Sequence, residues 1–306
     1  MKLFIFLLLI LGAPLAEAAL KVVTSTTDLA WAVKQIGGDL VEVQPLLRGM
    51  ENPHYVDTLP NFVKQVSDAS VVCTIGLDLE VGWMPKVLAR SGNAKVQQGG
   101  LGFCETGKQV AVLDKATGPV DRSMGDVHPS GNPHFWLSPK HFLEASREIL
   151  RSLSQSDPMH ASEYEASFEK FSASMNAFSR KQKAKFDLAF SKGKPPTVLE
   201  YHKEFTYLLD SYGVQSMGSL EEKPGVAPSA GRIAEVAMSA KQKSARVLLA
   251  AEYSPKHTIE KFHEISGIPV LVIPTSMPVK NLDYYAFQSQ LLDRLLQALV
   301  PGGNAE

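Results

Sequence analysis

Three of the eight histidines stand in sequence contexts that favour metal binding. His54 and His134 each close an Asn-Pro-His tripeptide, and His202 follows directly on the strand-like run 198–201. Because open α/β sheets bind ligands at the carboxyl ends of their strands, we expect the three imidazoles to meet there. A neutral imidazole nitrogen is a preferred zinc ligand, so His54, His134 and His202 predict a zinc site.

The spacing of these histidines is a weak signal, because dozens of residues separate them, unlike the compact pair of a metalloprotease. The other histidines are easier to set aside, with one exception. Those in polar helical stretches are expected to face solvent: His141, His160, His257 and His263. His128 lies in the polar loop 121–128 just before His134, where it either delivers metal to the site or belongs to an ordinary solvated loop.

The elements that must position these side chains alternate between strands and helices. The first round predicts strands at 20–25, 41–46, 71–75 and 109–113 and helices at 29–36, 60–68 and 80–89. A second round predicts strands at 196–201, 247–252 and 270–274 with a helix at 203–212. The alternation indicates an α/β fold with two lobes of parallel sheet flanked by helices.

The segment 139–192 contains no strand-like run. A first helix is predicted to end near Ser154, and a second runs from Asp157-Pro158 to Gly193 with an aromatic stripe that is expected to be core. Its length favours one rigid connecting helix between the lobes over a plain two-helix packing layer. The predicted division is a signal peptide at 1–18, an N-terminal metal-binding lobe at 19–155, a connecting long helix at 156–192 and a C-terminal metal-binding lobe at 193–306.

The first residues predict export. Lys2 precedes an apolar run that ends at Ala16-Glu17-Ala18, the small-x-small pattern of a signal peptidase site. The run is too short for a permanent span, and no cysteine follows to carry a lipid. We therefore expect a mature periplasmic chain that begins at Ala19.

Charge and cysteine content narrow the function further. Acidic and basic residues nearly cancel, at a formal net charge of −1, so a nucleic-acid partner is not expected. Cys73 reads as strand core, and whether it pairs with Cys104 stays open.

Three segments together bring a family into view. PHYVDTLP at 53–60, NPHFWLSP at 132–139 and YHKEF at 201–205 are similar to the three ligand motifs of the ABC-importer solute-binding proteins that carry zinc, manganese or iron. The resemblance extends over nearly all of the mature chain, and the second motif is its most specific match. It implies a monomer that carries Zn²⁺ as its transported ligand to an ABC permease, with a metallochaperone as a further partner, and it implies that the chain is not an enzyme.

The chain departs from the family pattern at several positions. No acid stands at 275–277, so the fourth ligand is expected to be water, Glu252 or Ser276. Asn132 and Ser138 replace the usual acids, which is expected to weaken the support of the ligating imidazoles.

Other functions compete with zinc transport. The same role for Mn²⁺ or Fe²⁺ would call for more oxygen ligands. A zinc hydrolase would need a general base, for which Glu252 and Asp57 are the candidates, and an adhesin with incidental metal is a third alternative.

Overall fold

Two four-stranded sheets form the framework of the molecule, and every strand pair in them is parallel. The computed structural model describes residues 18–118, 120, 124–193 and 195–300. The predicted signal peptide therefore lies outside the described residues, except for Ala18. Among the described helices, none is both long enough and apolar enough to cross a membrane.

The first sheet has the strand order β2-β1-β3-β4. Its strands are β1 (Leu20–Thr24), β2 (Val41–Pro45), β3 (Val71–Thr74) and β4 (Phe103–Glu105), and its helices are α1 (Thr27–Gly37), α2 (Pro60–Ser67) and α3 (Met84–Ser91). Strand β3 is buried along its whole length, as expected for a strand with helices on both faces.

The second sheet repeats this order as β6-β5-β7-β8. Its strands are β5 (Val198–Glu200), β6 (Ser216–Ser219), β7 (Leu248–Ala251) and β8 (Val270–Ile273), and its helices are α6 (Thr206–Tyr212), α7 (Ala230–Gln242), α8 (Lys256–Ser266) and α9 (Tyr284–Leu299). The predicted fold class, two lobes of parallel sheet flanked by helices, is confirmed.

Two long helices lie between the sheets in the chain, α4 (Pro139–Ser156) and the 29-residue α5 (Ala161–Ala189). Helix α5 packs against α1, α4 and α9, so it contacts elements from both halves of the chain. The buried side chains of its aromatic stripe belong to one apolar cluster that extends from Val22 in β1 to Leu249 in β7. The two lobes are therefore joined by a shared core, while the boundaries at 155 and 192 stay a prediction.

One predicted strand is wrong. Residues 109–113 form no strand, and the fourth strand of the first sheet is β4 instead. The backbone of Leu113 bonds to partners outside the sheet, because its N–H donates to the Tyr207 hydroxyl at 3.1 Å and its carbonyl accepts from Asn132 at 2.9 Å. The segment thus connects the two lobes. Its run of apolar residues resembles a strand and gives no sign of these contacts.

Two further differences are local. Helix α3 begins at Met84 rather than at residue 80, because Glu80 turns back to accept hydrogen bonds from Ile75 and Gly76 N–H, and Pro85 suits the first turn. Strand β6 was not predicted, since Ser-Met-Gly-Ser lacks the β-branched residues typical of strands. Cys73 and Cys104 are direct neighbours across β3 and β4, and both are buried free thiols.

Candidate metal centre

The structure brings His54, His134 and His202 together. One possible ligand atom from each lies within 4.8 Å of the others, and the ring centroids are 5.2 to 5.5 Å apart. His54 lies between β2 and α2. His134 precedes the short 3-10 helix Phe135–Leu137 that leads into α4, and His202 is the second residue after β5. His54 and His134 are buried, and the His202 side chain is 12% exposed. Residues from both lobes therefore bring three side chains that could bind a metal close to one point.

The two Asn-Pro-His tripeptides fold identically. Asn52 Oδ1 accepts from the His54 backbone N–H at 3.0 Å and lies 2.8 Å from its Nδ1. Asn132 Oδ1 makes the same pair of contacts with His134, at 3.0 and 2.8 Å. Because an amide oxygen can only accept, each imidazole carries its proton on Nδ1 and leaves the Nε2 lone pair free. In His134 that Nε2 is buried and has no hydrogen-bond partner among the residues that the structure describes.

His202 is held by a different type of acceptor. Its Nδ1 lies 2.8 Å from Oε2 of Glu221, a buried carboxylate just beyond β6. The same Oε2 accepts from the Gly225 N–H at 2.8 Å. Each of the three imidazoles therefore has an oxygen on Nδ1 that fixes its ring. For His134 that oxygen belongs to the neutral amide of Asn132, and the expected weakening of the support relative to a carboxylate stays a prediction.

The pKa values of the histidines follow these surroundings. Burial lowers the pKa of His54 and His134 well below the usual 6.5, and the neighbouring histidines lower it further. Burial also lowers the pKa of His202, but the Glu221 hydrogen bond and the nearby carboxylates outweigh it, and the net pKa is raised. Two ligands are thus neutral and ready for a cation, and the third holds a proton more firmly.

Glu204 is a carboxylate beside this site that sequence reasoning did not single out. It is buried, and one oxygen accepts from the Tyr253 hydroxyl at 2.6 Å, while the other has no hydrogen-bond partner in the described part of the chain. Burial raises the pKa of Glu204 to about 7, and the charge of His202 opposes that shift.

The two residues expected as fourth ligands lie elsewhere. Glu252 is exposed, and it lines a cavity together with Ser276, Gly49 and Asn281, while none of the three histidines lines it. Ser276 is buried beside the Asp28 carboxyl instead.

The loop around Ser276 is fixed to the first lobe. The indole N–H of Trp136 donates to the Thr275 carbonyl at 2.7 Å, and the Thr27 hydroxyl donates to the Met277 carbonyl at 2.6 Å. The loop at 275–277, from which Ser276 was one expected fourth ligand, therefore ties the lobes together.

The remaining histidines differ from expectation in one clear case. His141 was predicted to face solvent, but it is buried, with Nδ1 2.9 Å from the Ser138 hydroxyl and its ring against Tyr207. The prediction failed because the first turn of α4 packs on the second lobe. His160 is partly buried beside Asp157, whereas His257 and His263 are exposed as predicted.

The chain is similar to known proteins over most of its length. The family model "ZnuA: Zinc-uptake complex component A periplasmic" matches residues 22–298. The iron ABC transporter substrate-binding lipoprotein MtsA of Streptococcus pyogenes serotype M1 is 25% identical over 291 residues, which cover 92% of this chain and 89% of MtsA. The zinc-binding lipoprotein AdcA of Streptococcus pneumoniae is 27% identical over 227 residues, which cover 72% of this chain and 43% of AdcA.

Solved structures agree on the fold. That of a ZnuA deletion mutant with zinc bound has a TM-score of 0.76 at 20% identity, and the match covers 93% of this chain and 99% of that one. The family predicted from the three motifs is confirmed by the family model and by the relatives. The chain belongs to the ZnuA family, whose members are metal-binding substrate-binding proteins of ABC importers and not enzymes.

Proposed function

We propose that this protein captures Zn²⁺ through His54, His134 and His202 and delivers it to the membrane permease of an ABC importer. The observation that carries the proposal is the set of three imidazoles that converge from two lobes, each with Nδ1 bound to an oxygen. Such a set presents Nε2 lone pairs to one point, which is the donor type and geometry that zinc prefers.

The choice of zinc rests on donor chemistry. MtsA is named for iron and AdcA for zinc, so likeness to relatives does not select the metal. Manganese and iron(II) favour sites with more oxygen ligands, and the three imidazoles offer only nitrogen. Nitrogen-rich tetrahedral sites suit zinc. The hydrolase alternative is wrong, because the family consists of binding proteins and the proposed bases Glu252 and Asp57 are both exposed.

The same proposal includes the setting in which the protein acts. A chain cleaved before Ala19 would work in the periplasm as a monomer, take up the ion there and dock to the permease when loaded. A metallochaperone that supplies the ion is a further proposed partner.

Competitive metal loading tests the proposal. Metal-free protein is offered equimolar Zn²⁺, Mn²⁺ and Fe²⁺ without oxygen, and the bound metal is counted by elemental analysis after desalting. We expect one equivalent of zinc in the wild type and a loss of most of it in His134→Ala. The matched control is His257→Ala, which removes an exposed imidazole on α8 and should leave loading unchanged.

Two outcomes contradict the proposal. Retention of a full equivalent of zinc by His134→Ala would show that the ion binds elsewhere. Preferential loading of Mn²⁺ or Fe²⁺ by the wild type would keep the site and reject zinc as its cargo.

A further inference from the structure

A fourth imidazole faces the three-histidine site from a loop. His128 Nε2 lies 3.2 Å from His54 Nε2, and the His128 ring centroid is 5.2 Å from that of His54 and 6.1 Å from that of His134. With His134 and His202 it also lines a pocket that reaches the site from solvent. His128 Nε2 is thus close enough to share an ion with His54, beside the opening through which solvent reaches His134 and His202.

The contact between His128 and His54 joins the two Nε2 atoms, and its character depends on which nitrogen of each ring carries the proton. The Nδ1 proton of His54 points to Asn52, so His54 Nε2 carries a lone pair. The Leu77 backbone carbonyl lies beside the His128 ring, and because Nε2 faces His54, Nδ1 is the ring nitrogen available to donate to it. With the proton of each ring on Nδ1, both Nε2 atoms, 3.2 Å apart, offer a lone pair to a single cation.

The distance fits one particular cation geometry. Zinc–nitrogen bonds of about 2.0–2.1 Å place neighbouring nitrogens of a tetrahedral site about 3.3–3.4 Å apart. The observed 3.2 Å between His54 Nε2 and His128 Nε2 is close to this nitrogen–nitrogen distance. We propose that His128 is the fourth nitrogen ligand of the captured ion, in the position that neither Glu252 nor Ser276 occupies. This proposal rests on the proposed function and completes its site.

The backbone that receives His128 adopts an uncommon conformation. Gly76, Leu77 and Asp78 all have positive φ, at 79°, 52° and 67°. For leucine this conformation costs about 1–2 kcal/mol, so the surrounding structure must enforce it. It directs the Leu77 carbonyl to the His128 ring, and Asp78 Oδ2 accepts from the Ser130 N–H at 3.4 Å. The strained turn therefore holds the His128 loop at two points.

The segment 125–128, which we name the crossing segment, also bonds to the second lobe. The Tyr55 hydroxyl donates to Asp126 Oδ2, and the Asp126 N–H donates to the Pro224 carbonyl at 2.7 Å. A Cβ on Gly225 would lie 2.0 Å from Asp126 Oδ2, so only glycine permits this approach. Gly225 in turn binds Glu221, the residue that orients His202. The crossing segment thus contacts Tyr55, the neighbour of His54, and Gly225, which donates to the carboxylate that orients His202.

X-ray absorption spectroscopy of zinc-loaded protein counts the imidazoles directly. We expect four nitrogen ligands with imidazole scattering in the wild type and three plus one oxygen in His128→Ala. The zinc dissociation constant of His128→Ala should rise about tenfold or more, since losing a ligand costs at least as much as losing a residue that orients one. The matched control His263→Ala removes an exposed histidine and should retain all four.

A second variant tests the crossing segment without removing a ligand. Tyr55→Phe deletes only the hydroxyl that binds Asp126. We expect four imidazoles still to be bound, with zinc dissociation to a chelator faster by a few-fold.

The outcomes separate this proposal from the one on which it rests. Three imidazoles in the wild type, unchanged in His128→Ala, would overturn the role of His128 and leave zinc capture by the other three intact. A wild type that binds zinc without any imidazole scattering would overturn both.

Discussion

The two lobes hold their histidines with different chemistry. In the first lobe the Nδ1 acceptors are the neutral amide oxygens of Asn52 and Asn132, whereas in the second lobe the acceptor for His202 is the carboxylate of Glu221. The histidines of the first lobe accordingly have depressed pKa values, and the pKa of His202 is raised. The comparison teaches that the first lobe presents histidines that are already neutral. The second lobe places the negative charge of Glu221 beside its histidine, so that a proton competes with a cation for His202.

Among the residues that hold the histidines, removal of the charged acceptor Glu221 should have the largest effect on zinc affinity. Glu221→Ala deletes the partner of His202 Nδ1 and leaves the Gly225 N–H without its acceptor. We expect zinc affinity, measured by competition with a chelator, to fall about 100-fold, the upper end for residues that orient a ligand. The neighbouring Glu222→Ala removes an exposed carboxylate and serves as control. Equal losses in both variants would contradict a specific role for Glu221.

The pH dependence of zinc binding should distinguish the lobes next. His202 has a raised pKa, so below that pKa a proton occupies the ligand and must leave when zinc binds. Wild-type affinity should then fall about tenfold per pH unit as the pH drops below the pKa of His202. His54 and His134, with pKa values well below 6.5, add to the slope only at lower pH.

Glu221→Gln sharpens the same point. The amide can still accept from Nδ1, but without the charge the pKa of His202 falls, so zinc meets less proton competition in mild acid. We expect affinity at pH 8 to fall about 10- to 30-fold and the deficit to shrink as the pH is lowered towards 6. A deficit that stays constant across the titration would contradict the assignment of the proton to His202.

The asparagines should show the smallest effects. Asn52→Ala and Asn132→Ala each remove one neutral acceptor, and we expect each to weaken zinc binding about tenfold. They should differ in stability, because Asn132 Nδ2 also donates to the Lys203 carbonyl at 2.8 Å and to Thr206. Chemical denaturation of metal-free protein should show that Asn132→Ala lowers the free energy of unfolding by about 1–3 kcal/mol more than Asn52→Ala does. Equal stabilities would show that Asn132 acts only within its own tripeptide.

The sequence predicted the parts of the site that depend on local patterns. His54, His134 and His202 could be found because strand ends and the repeated Asn-Pro-His tripeptide are visible within a few residues. The asparagines stand in those same tripeptides, yet their role depends on a side chain that turns back to residue i+2. Asparagine commonly makes such turns, so this signal was available in the sequence and was missed.

The rest depended on contacts between distant residues. Glu221 reaches His202 across 19 positions because β5 and β6 are parallel neighbours, and the polar β6 was not recognised as a strand. The burial of His141 and the failure of the strand at 109–113 have a related cause, since both segments contact α6 of the second lobe. Sequence patterns within one lobe do not carry information about the partner lobe.

The bonds from Thr27 and Trp136 to the 275–277 backbone bear on how quickly an ion is exchanged. Separating the lobes would break both buried hydrogen bonds and expose Met277, which is fully buried. Displacing a short surface loop disrupts far less, and loops move within nanoseconds to microseconds whereas whole domains need microseconds to milliseconds. We therefore expect uptake and release of the ion to occur on the timescale of loop motion. A permease could then empty the carrier by displacing a few side chains, with the two lobes left in place.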